Sequence, residues 1–253
     1  MSARETLQQI YDGNVLVYGH RGAQAYAPMN TLPAFELAAE QGAQGIELDV
    51  QLTKDGFPVI IHDFSVDATT NGNGAVANMT LEQLQVLDAG SWFDARFVGT
   101  RIPTLHQVFE TLGQDLIINV EIKWFSPEDN GIEQVVADVI QQYRLQKRVL
   151  VSSFNPIVLK RFRAIAPEVP LGYLTSSHTM QENTQPIVRL SDFEAQHPHH
   201  ELIDPKRVDW ALESGHILNA WTVNEPERAR QLLLMGVQGI VTDKPDVILK
   251  ALA

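Results

Sequence analysis

The sequence predicts a (β/α)₈ barrel, the fold in which eight parallel strands alternate with helices around one core. Short apolar segments rich in β-branched residues alternate with segments of helical period, as expected for parallel strands joined by crossover helices. The chain has 253 residues, close to the length that one barrel of this kind needs. Polar residues follow many separate predicted strands, which favours a closed barrel with its loops on one rim over an open doubly wound sheet.

The predicted strands are the short apolar segments, which have too few residues for helices. They lie at residues 15–19, 45–51, 59–62, 116–123, 149–154, 171–174, 217–223 and 239–242, with a further segment at 199–203. The predicted helices lie between the strands, at residues 32–41, 133–143, 156–165, 205–213, 226–234 and 245–252. Several of these helices begin at a proline, which is tolerated in the first turn because its missing N–H would have no partner there.

Two regions interrupt the alternation of strands and helices. Residues 64–101 contain a polar glycine-rich segment and a short helical piece at 81–87, so we expect a small insertion there, after the strand that ends at His62. Residues 176–201 are polar and predict one irregular connection. Neither region has the composition of a linker, so residues 1–253 are predicted to form a single domain.

The composition is that of an acidic enzyme acting on small molecules. Asp and Glu number 31 against 19 Lys and Arg, and the resulting formal charge of -12 disfavours nucleic acid and anionic lipid as partners. The absence of cysteine excludes disulfides and thiolate metal ligands. The polar N-terminus has no apolar signal region and no segment reaches the length of a membrane span, so we expect a cytoplasmic protein.

Three carboxylates in predicted strands indicate a metal site. Glu47 and Asp49 are two residues apart in an apolar strand, so both side chains point to the same face. Glu121 and Lys123 repeat this spacing in another strand. Buried carboxylates repel each other and lose hydration, so they need a cation or strongly shifted pKa values to coexist, and we interpret them as ligands of a divalent metal. Oxygen ligands suit Mg²⁺ or Ca²⁺. The alternative is that Glu47 and Asp49 are bonded only to arginine or to the backbone.

Two histidines directly follow predicted strands, where active-site residues of this fold gather. His20 ends one apolar segment and His62 ends another. Histidine takes up and releases protons near neutral pH, so the pair could serve as base and acid. A histidine at a strand end is often structural, and the case for catalysis depends on the neighbouring carboxylates.

Other polar and aromatic residues at strand ends leave more than one interpretation open. Arg21 and Lys123 are candidate phosphate-binding groups, although Lys123 could equally serve to neutralise the carboxylates. Trp221 could line the pocket, stack on a cationic head group, or pack in the core. Asn224 and Asp243 are interpreted as loop caps before the prolines that follow them.

These residues resemble the motifs of the glycerophosphodiester phosphodiesterase family. The similar segments begin with GHRGAQAYAPMNTLPAFELAAEQGAQGIELDVQLTKDGFPVIIHD and continue with NVEIK, SSFNP, AWTVNEP and GIVTDKPD, in the family's order from residue 19 to 246. Two positions depart from the family's usual pattern, with Met29 where it has Glu and Ala68 where it has Arg.

The resemblance implies a barrel enzyme that hydrolyses glycerophosphodiesters to glycerol 3-phosphate and an alcohol through a cyclic phosphate. It implies a divalent metal, Mg²⁺ or Ca²⁺ with Mn²⁺ as an alternative. The roles that it implies are catalysis by His20 and His62, metal binding by Glu47, Asp49 and Glu121, and phosphate contact by Arg21 and Lys123. Two other functions remain open, a lipid-cleaving phosphoester enzyme on the same barrel and a binding protein without turnover.

Overall fold

The computed structural model describes residues 1–177 and 193–253. Eight parallel strands form a closed barrel, because the first strand pairs with both the second and the last. The nine strands of the described residues are β1 (Leu16–His20), β2 (Gly45–Leu52), β3 (Pro58–Ile60), β4 (Ile117–Ile122), β5 (Val149–Ser153), β6 (Leu171–Thr175), β7 (Ala195–Pro198), β8 (Ile217–Ala220) and β9 (Gly239–Thr242). The predicted fold class is confirmed.

The strand predicted at residues 59–62 is not a barrel strand. It corresponds to β3, which pairs antiparallel with β2 in a hairpin outside the parallel barrel. Gly56, with φ of +82°, lies in the connecting turn, where a positive φ is accessible to glycine without strain. A short continuous apolar segment is the same for either strand direction, and so it did not by itself distinguish the two.

The strand predicted at residues 199–203 is wrong. Residues His200–Leu202 form a 3₁₀ helix, and the barrel strand at this point is β7, immediately before it. The buried side chains of β7 include Gln196 and His197, and His197 is hydrogen-bonded to Asn219 inside the barrel. Because this part of the interior is polar, β7 lacks the apolar pattern that marks the other strands.

Helices surround the barrel and bury its outer face. Those described are α1 (Ala3–Tyr11), α2 (Leu32–Glu40), α3 (Leu81–Gln85), α4 (Leu105–Leu112), α5 (Ile132–Tyr143), α6 (Pro156–Ile165), α7 (Pro205–Glu213), α8 (Pro226–Met235) and α9 (Pro245–Leu252). Helices α1 and α4 were not predicted. Tyr11 of α1 donates a hydrogen bond to Asn219 of β8 (2.6 Å) and accepts one from Tyr18 of β1 (3.0 Å), so α1 is fixed to the barrel interior.

The segment after β3 has its own apolar cluster. Val66, Val76 and Leu84 are fully buried against Val59 and Ile61 of the hairpin, which gives residues 64–101 a small core beside the barrel. The predicted connection at residues 176–201 lies mostly outside the described residues. Within the described ranges, no helix is long and apolar enough to cross a lipid bilayer.

Candidate active site

Three carboxylates lie together at the carboxyl ends of adjacent strands. Glu47 and Asp49 of β2 and Glu121 of β4 are buried, and one oxygen of each lies within 4.8 Å of the others. The parallel register pairs Asp49 with Glu121 directly, and the two-residue repeat of each strand directs the side chains into the barrel. The sequence therefore correctly anticipated that these three groups meet.

Two cations partly balance the carboxylates. Arg21 Nε lies 3.2 Å from Asp49 Oδ2, and Lys123 Nζ lies 3.0 Å from Glu121 Oε1 and 3.6 Å from Asp49 Oδ1. Arg21 has a positive φ of +52°, and its backbone N–H donates to Glu47 Oε2 at 3.1 Å. Three carboxylates and two cations leave the cluster with one net negative charge.

The electrostatic strain of this cluster is reflected in the pKa values of its members. Burial, followed by the charges of Asp49 and Glu121, raises the pKa of Glu47 well above its usual range. Burial also raises the pKa of Glu121 to about 7, although Lys123 opposes the shift. Burial acts on Asp49 in the same direction, but Arg21 and Lys123 outweigh it and lower the pKa of this carboxyl. Burial therefore outweighs the nearby cations at Glu47 and Glu121, and both carboxyls have raised pKa values.

The donor set fits a hard divalent cation. Asp49 Oδ1 and Glu121 Oε1 are buried and accept no well-aligned hydrogen bond from the described residues. The Lys123 ammonium forms ion pairs with both oxygens, at 3.0 Å from Glu121 Oε1 and 3.6 Å from Asp49 Oδ1. Buried carboxylate oxygens without donors are costly unless a cation binds them. Converging carboxylates without sulfur ligands are typical of Mg²⁺, Ca²⁺ and Mn²⁺ sites.

His20 is held by an aspartate at the end of β9. Its Nδ1 lies 2.7 Å from Asp243 Oδ1, and its Nε2 faces the carboxylates, 4.0 Å from Glu47 Oε2. Asn224 fixes Asp243 by donating to Oδ2 at 2.6 Å and accepting from the backbone N–H at 2.9 Å. Because Asp243 accepts from Nδ1, this contact assigns the proton to Nδ1 and leaves Nε2 free. The interpretation of Asp243 as a loop cap alone was therefore wrong.

His62 has a similar arrangement nearer the solvent. Its Nδ1 lies 2.7 Å from Asp63 Oδ1, and its side chain is 33% exposed, against 14% for His20. Burial lowers the pKa of both histidines, and the Asp243 and Asp63 carboxylates oppose that shift at His20 and His62 respectively. The two histidines thus differ in depth within one site.

Glu47, Glu121 and the two histidines line a pocket of about 540 Å³, which includes space open to solvent. Its apolar wall consists of Phe154, Leu174, Trp221 and Val241. Trp221 packs edge-to-face on Phe154, with ring centroids 5.5 Å apart, and its Nε1 donates to the backbone oxygen of His197 at 2.7 Å. Trp221 is therefore a fixed part of the pocket wall.

Several residues of the site had no predicted role. Asn30 has a positive φ of +57° and donates to Asp49 Oδ2 at 2.8 Å. Met29 precedes it, and its Sδ lies 3.4 Å from Arg21 Nη1, where the family usually has a carboxylate. Asn119 and His197 line the pocket from the barrel interior. Asn119 does carry a signal, since a polar residue stands two positions before Glu121 on the inward face of a strand.

Comparisons with known proteins agree with the fold and with the family that the sequence resembles. The model of the glycerophosphoryl diester phosphodiesterase family matches residues 20–247. A glycerophosphodiester phosphodiesterase of Caldanaerobacter subterraneus subsp. tengcongensis is 42% identical over 235 residues, which cover 92% of this chain and 96% of the relative. A glycerophosphodiester phosphodiesterase of Bacillus subtilis is 31% identical, with coverage of 93% and 86%.

Solved structures show the same similarity in three dimensions. An Oleispira antarctica phosphodiesterase, solved in complex with the product sn-glycerol-3-phosphate, has a TM-score of 0.84 and 32% identity, with 96% of this chain and 98% of that chain covered. A glycerophosphodiester phosphodiesterase of Agrobacterium tumefaciens has a TM-score of 0.80 and 28% identity, with coverage of 94% and 100%. The chain belongs to the glycerophosphoryl diester phosphodiesterase family, which confirms both the resemblance and the class of enzyme predicted from its sequence.

Proposed function

We propose that the protein hydrolyses glycerophosphodiesters to sn-glycerol 3-phosphate and a free alcohol, with a divalent metal ion bound by Glu47, Asp49 and Glu121. The supporting observation is that Glu47 and Glu121, grouped with the buried Asp49, line one pocket with two histidines, each paired to an aspartate. The Oleispira enzyme, solved with sn-glycerol-3-phosphate as its product, supports the substrate class. We also propose a cytoplasmic location and Mg²⁺, Ca²⁺ or Mn²⁺ as the ion.

The charge of the site suits a phosphodiester only when a cation is bound. When all three carboxylates are ionised they outnumber Arg21 and Lys123 by one charge, and these groups alone would repel an anion. A divalent ion held by Glu47, Asp49 and Glu121 would reverse that sign and, as a Lewis acid, would neutralise charge on the phosphoryl oxygens. Arg21 is 18% exposed, and its guanidinium has donors beyond the Nε that pairs with Asp49. We assign phosphate contact to those donors and to Lys123.

The different depths of the histidines suggest their roles. His20 lies deeper, and Asp243 holds its ring with Nε2 toward the carboxylates, so we assign it as the base for the glycerol hydroxyl. His62 is nearer the mouth, where the alcohol can leave to solvent, and we assign it as the acid. The Asp63 carboxylate stabilises its protonated form.

The reaction then has two steps. The glycerol 2-hydroxyl oxygen bonds to phosphorus as its proton passes to His20, and the bond to the alcohol breaks as His62 protonates the departing oxygen. The oxygen of a water molecule next bonds to phosphorus as one of its protons passes to His62, and the bond between phosphorus and the 2-oxygen breaks as His20 protonates that oxygen. Each histidine thus ends the cycle in its starting form, as a catalytic cycle requires.

Leaving-group dependence tests these roles. General acid–base catalysis is typically worth about 10²–10⁴ in rate, so His20→Ala and His62→Ala should each lose about that much on glycerophosphocholine. On glycerol 4-nitrophenyl phosphate the leaving group needs no proton. On this substrate the rate of His62→Ala should return most of the way to the wild-type rate, and the rate of His20→Ala should stay low. Equal recovery by both variants would contradict the assignment. Wild-type rates for both variants on glycerophosphocholine would exclude histidine catalysis altogether.

A further inference from the structure

We infer that the side-chain amide of Asn119 binds the terminal hydroxyl of the glycerol moiety and thereby sets the specificity for glycerol-linked diesters. This inference rests on the proposed function and extends it to a residue that the catalytic scheme does not use. The supporting observation is that the side-chain oxygen of Asn119 is unpaired inside the barrel.

Asn119 has a buried side-chain oxygen without a hydrogen-bond partner among the described residues. The residue is 2% exposed, and its Oδ1 has no hydrogen bond to any described residue. Leaving a buried polar group unpaired typically costs about 1–3 kcal/mol, so such groups are rare in folded proteins. Asn119 also lines the pocket that contains His20 and Glu121. The amide therefore faces the space where a ligand would lie.

The strand geometry places Asn119 at the correct depth for a glycerol hydroxyl. It precedes Glu121 by two residues on β4, and so its side chain points the same way about 6 Å deeper in the barrel. In the register, Asn119 is also opposite Glu47, which His20 Nε2 approaches. A three-carbon chain that extends inward from a phosphoryl group near Glu121 passes His20 and ends at Asn119. The middle hydroxyl is then beside the proposed base.

The chemistry of the amide and its surroundings matches a terminal hydroxyl. An asparagine side chain offers one acceptor oxygen and two donors, and an alcohol can both donate to it and accept from it. Leu174 and Val241 give this part of the pocket an apolar wall that suits the carbon chain. A site built to bond a hydroxyl strongly disfavours an analogue that lacks it, because its own polar group then stays unpaired.

The nearby Ser152 provides a matched control. Its hydroxyl is fully buried and also lacks a partner among the described residues, and it is opposite Glu121 in the register of β4 and β5. Unlike Asn119, it does not line the pocket. If unpaired interior groups only held water, the two residues would behave alike.

Calorimetry with two ligands tests the inference. In Mg²⁺ buffer, sn-glycerol 3-phosphate is compared with 2-hydroxypropyl phosphate, which keeps the phosphate and the adjacent hydroxyl but lacks the terminal one. The wild type should bind the glycerol compound about 10- to 100-fold more tightly, the range expected from one lost hydrogen bond that leaves its partner unpaired. Asn119→Leu, and Asn119→Ala as a second variant, should bring the ratio of the two affinities to near one. Ser152→Ala should keep the wild-type ratio.

Two results would overturn the inference, namely equal binding of both ligands by the wild type or an unchanged ratio in both Asn119 variants. Choline release from glycerophosphocholine by the wild type is measured in parallel. It distinguishes failure of the inference about Asn119 from failure of the proposed function. Selective binding without choline release would contradict only the proposed function. Choline release without selectivity would contradict only the role of Asn119.

Discussion

Replacement of Asp243 by asparagine tests whether the pairing of His20 with Asp243 contributes to catalysis. The substitution preserves the shape of the side chain and removes its charge. Asp243 Oδ1 lies 2.7 Å from His20 Nδ1, and the same carboxylate stabilises the positive charge that His20 acquires when it takes a proton. This contribution is present only during the reaction, so its loss should lower kcat and leave KM nearly unchanged.

The size of the effect follows from the type of hydrogen bond. A hydrogen bond to a charged group contributes about 1.5–3 kcal/mol, which corresponds to a loss of about 10- to 150-fold in kcat. The assay is steady-state choline release from glycerophosphocholine, with circular dichroism to confirm folding. Asp63→Asn is the matched control. Asp63 is 45% exposed beside His62, so water replaces more of its interaction, and kcat should fall by less than about tenfold. A folded Asp243→Asn enzyme within twofold of the wild-type kcat would refute the reasoning.

Two further substitutions test the metal site and the polar interior. Asp49→Asn removes one of three carboxylates and should weaken Mn²⁺ binding by at least about tenfold in a calorimetric titration, while Asp63→Asn retains wild-type affinity. Burial lowers the pKa of His197 to about 3, so this ring stays neutral when folded but becomes protonated on unfolding below about pH 6.5. His197 should therefore lower the free energy of unfolding by about 2 kcal/mol between pH 7 and pH 5. In His197→Gln this decrease should be smaller by that amount, as measured by urea titrations at the two pH values. Unchanged Mn²⁺ affinity in Asp49→Asn would contradict the prediction for the metal site. An identical pH dependence of the free energy of unfolding in the wild type and in His197→Gln would contradict the prediction for the polar interior.

Strand periodicity was sufficient to predict that the three carboxylates share one side of the barrel. Glu47 and Asp49 stand in an apolar strand at a spacing of two, and so their common direction follows from the geometry of any strand. Their contact with Glu121 required only that two parallel strands be neighbours, which the barrel provides. The electrostatic cost of burying several carboxylates together requires either a bound cation or shifted pKa values, and it is the basis for the cation that we propose.

Contacts between residues that are far apart in the sequence were harder to predict. Asp243 meets His20 because the last strand closes the barrel against the first, and the two residues are 223 positions apart. Local pattern supported only a loop cap for Asp243. Strand β7 was missed for a related reason, since His197 is buried through a hydrogen bond to Asn219 and not through apolar contact. Polar interiors carry little signal in hydrophobic periodicity.

The hydrolysis of glycerophosphocholine as a function of added metal tests the central claim most directly. Protein treated with a chelator and then dialysed is incubated with the substrate, and ³¹P NMR follows the phosphorus species as Mg²⁺, Ca²⁺ or Mn²⁺ is added. The account predicts no turnover before metal addition, and afterwards sn-glycerol 3-phosphate and choline in equal amounts, with a transient cyclic phosphate. Full activity in the chelated protein, or no glycerol 3-phosphate with any of the three ions, would contradict it.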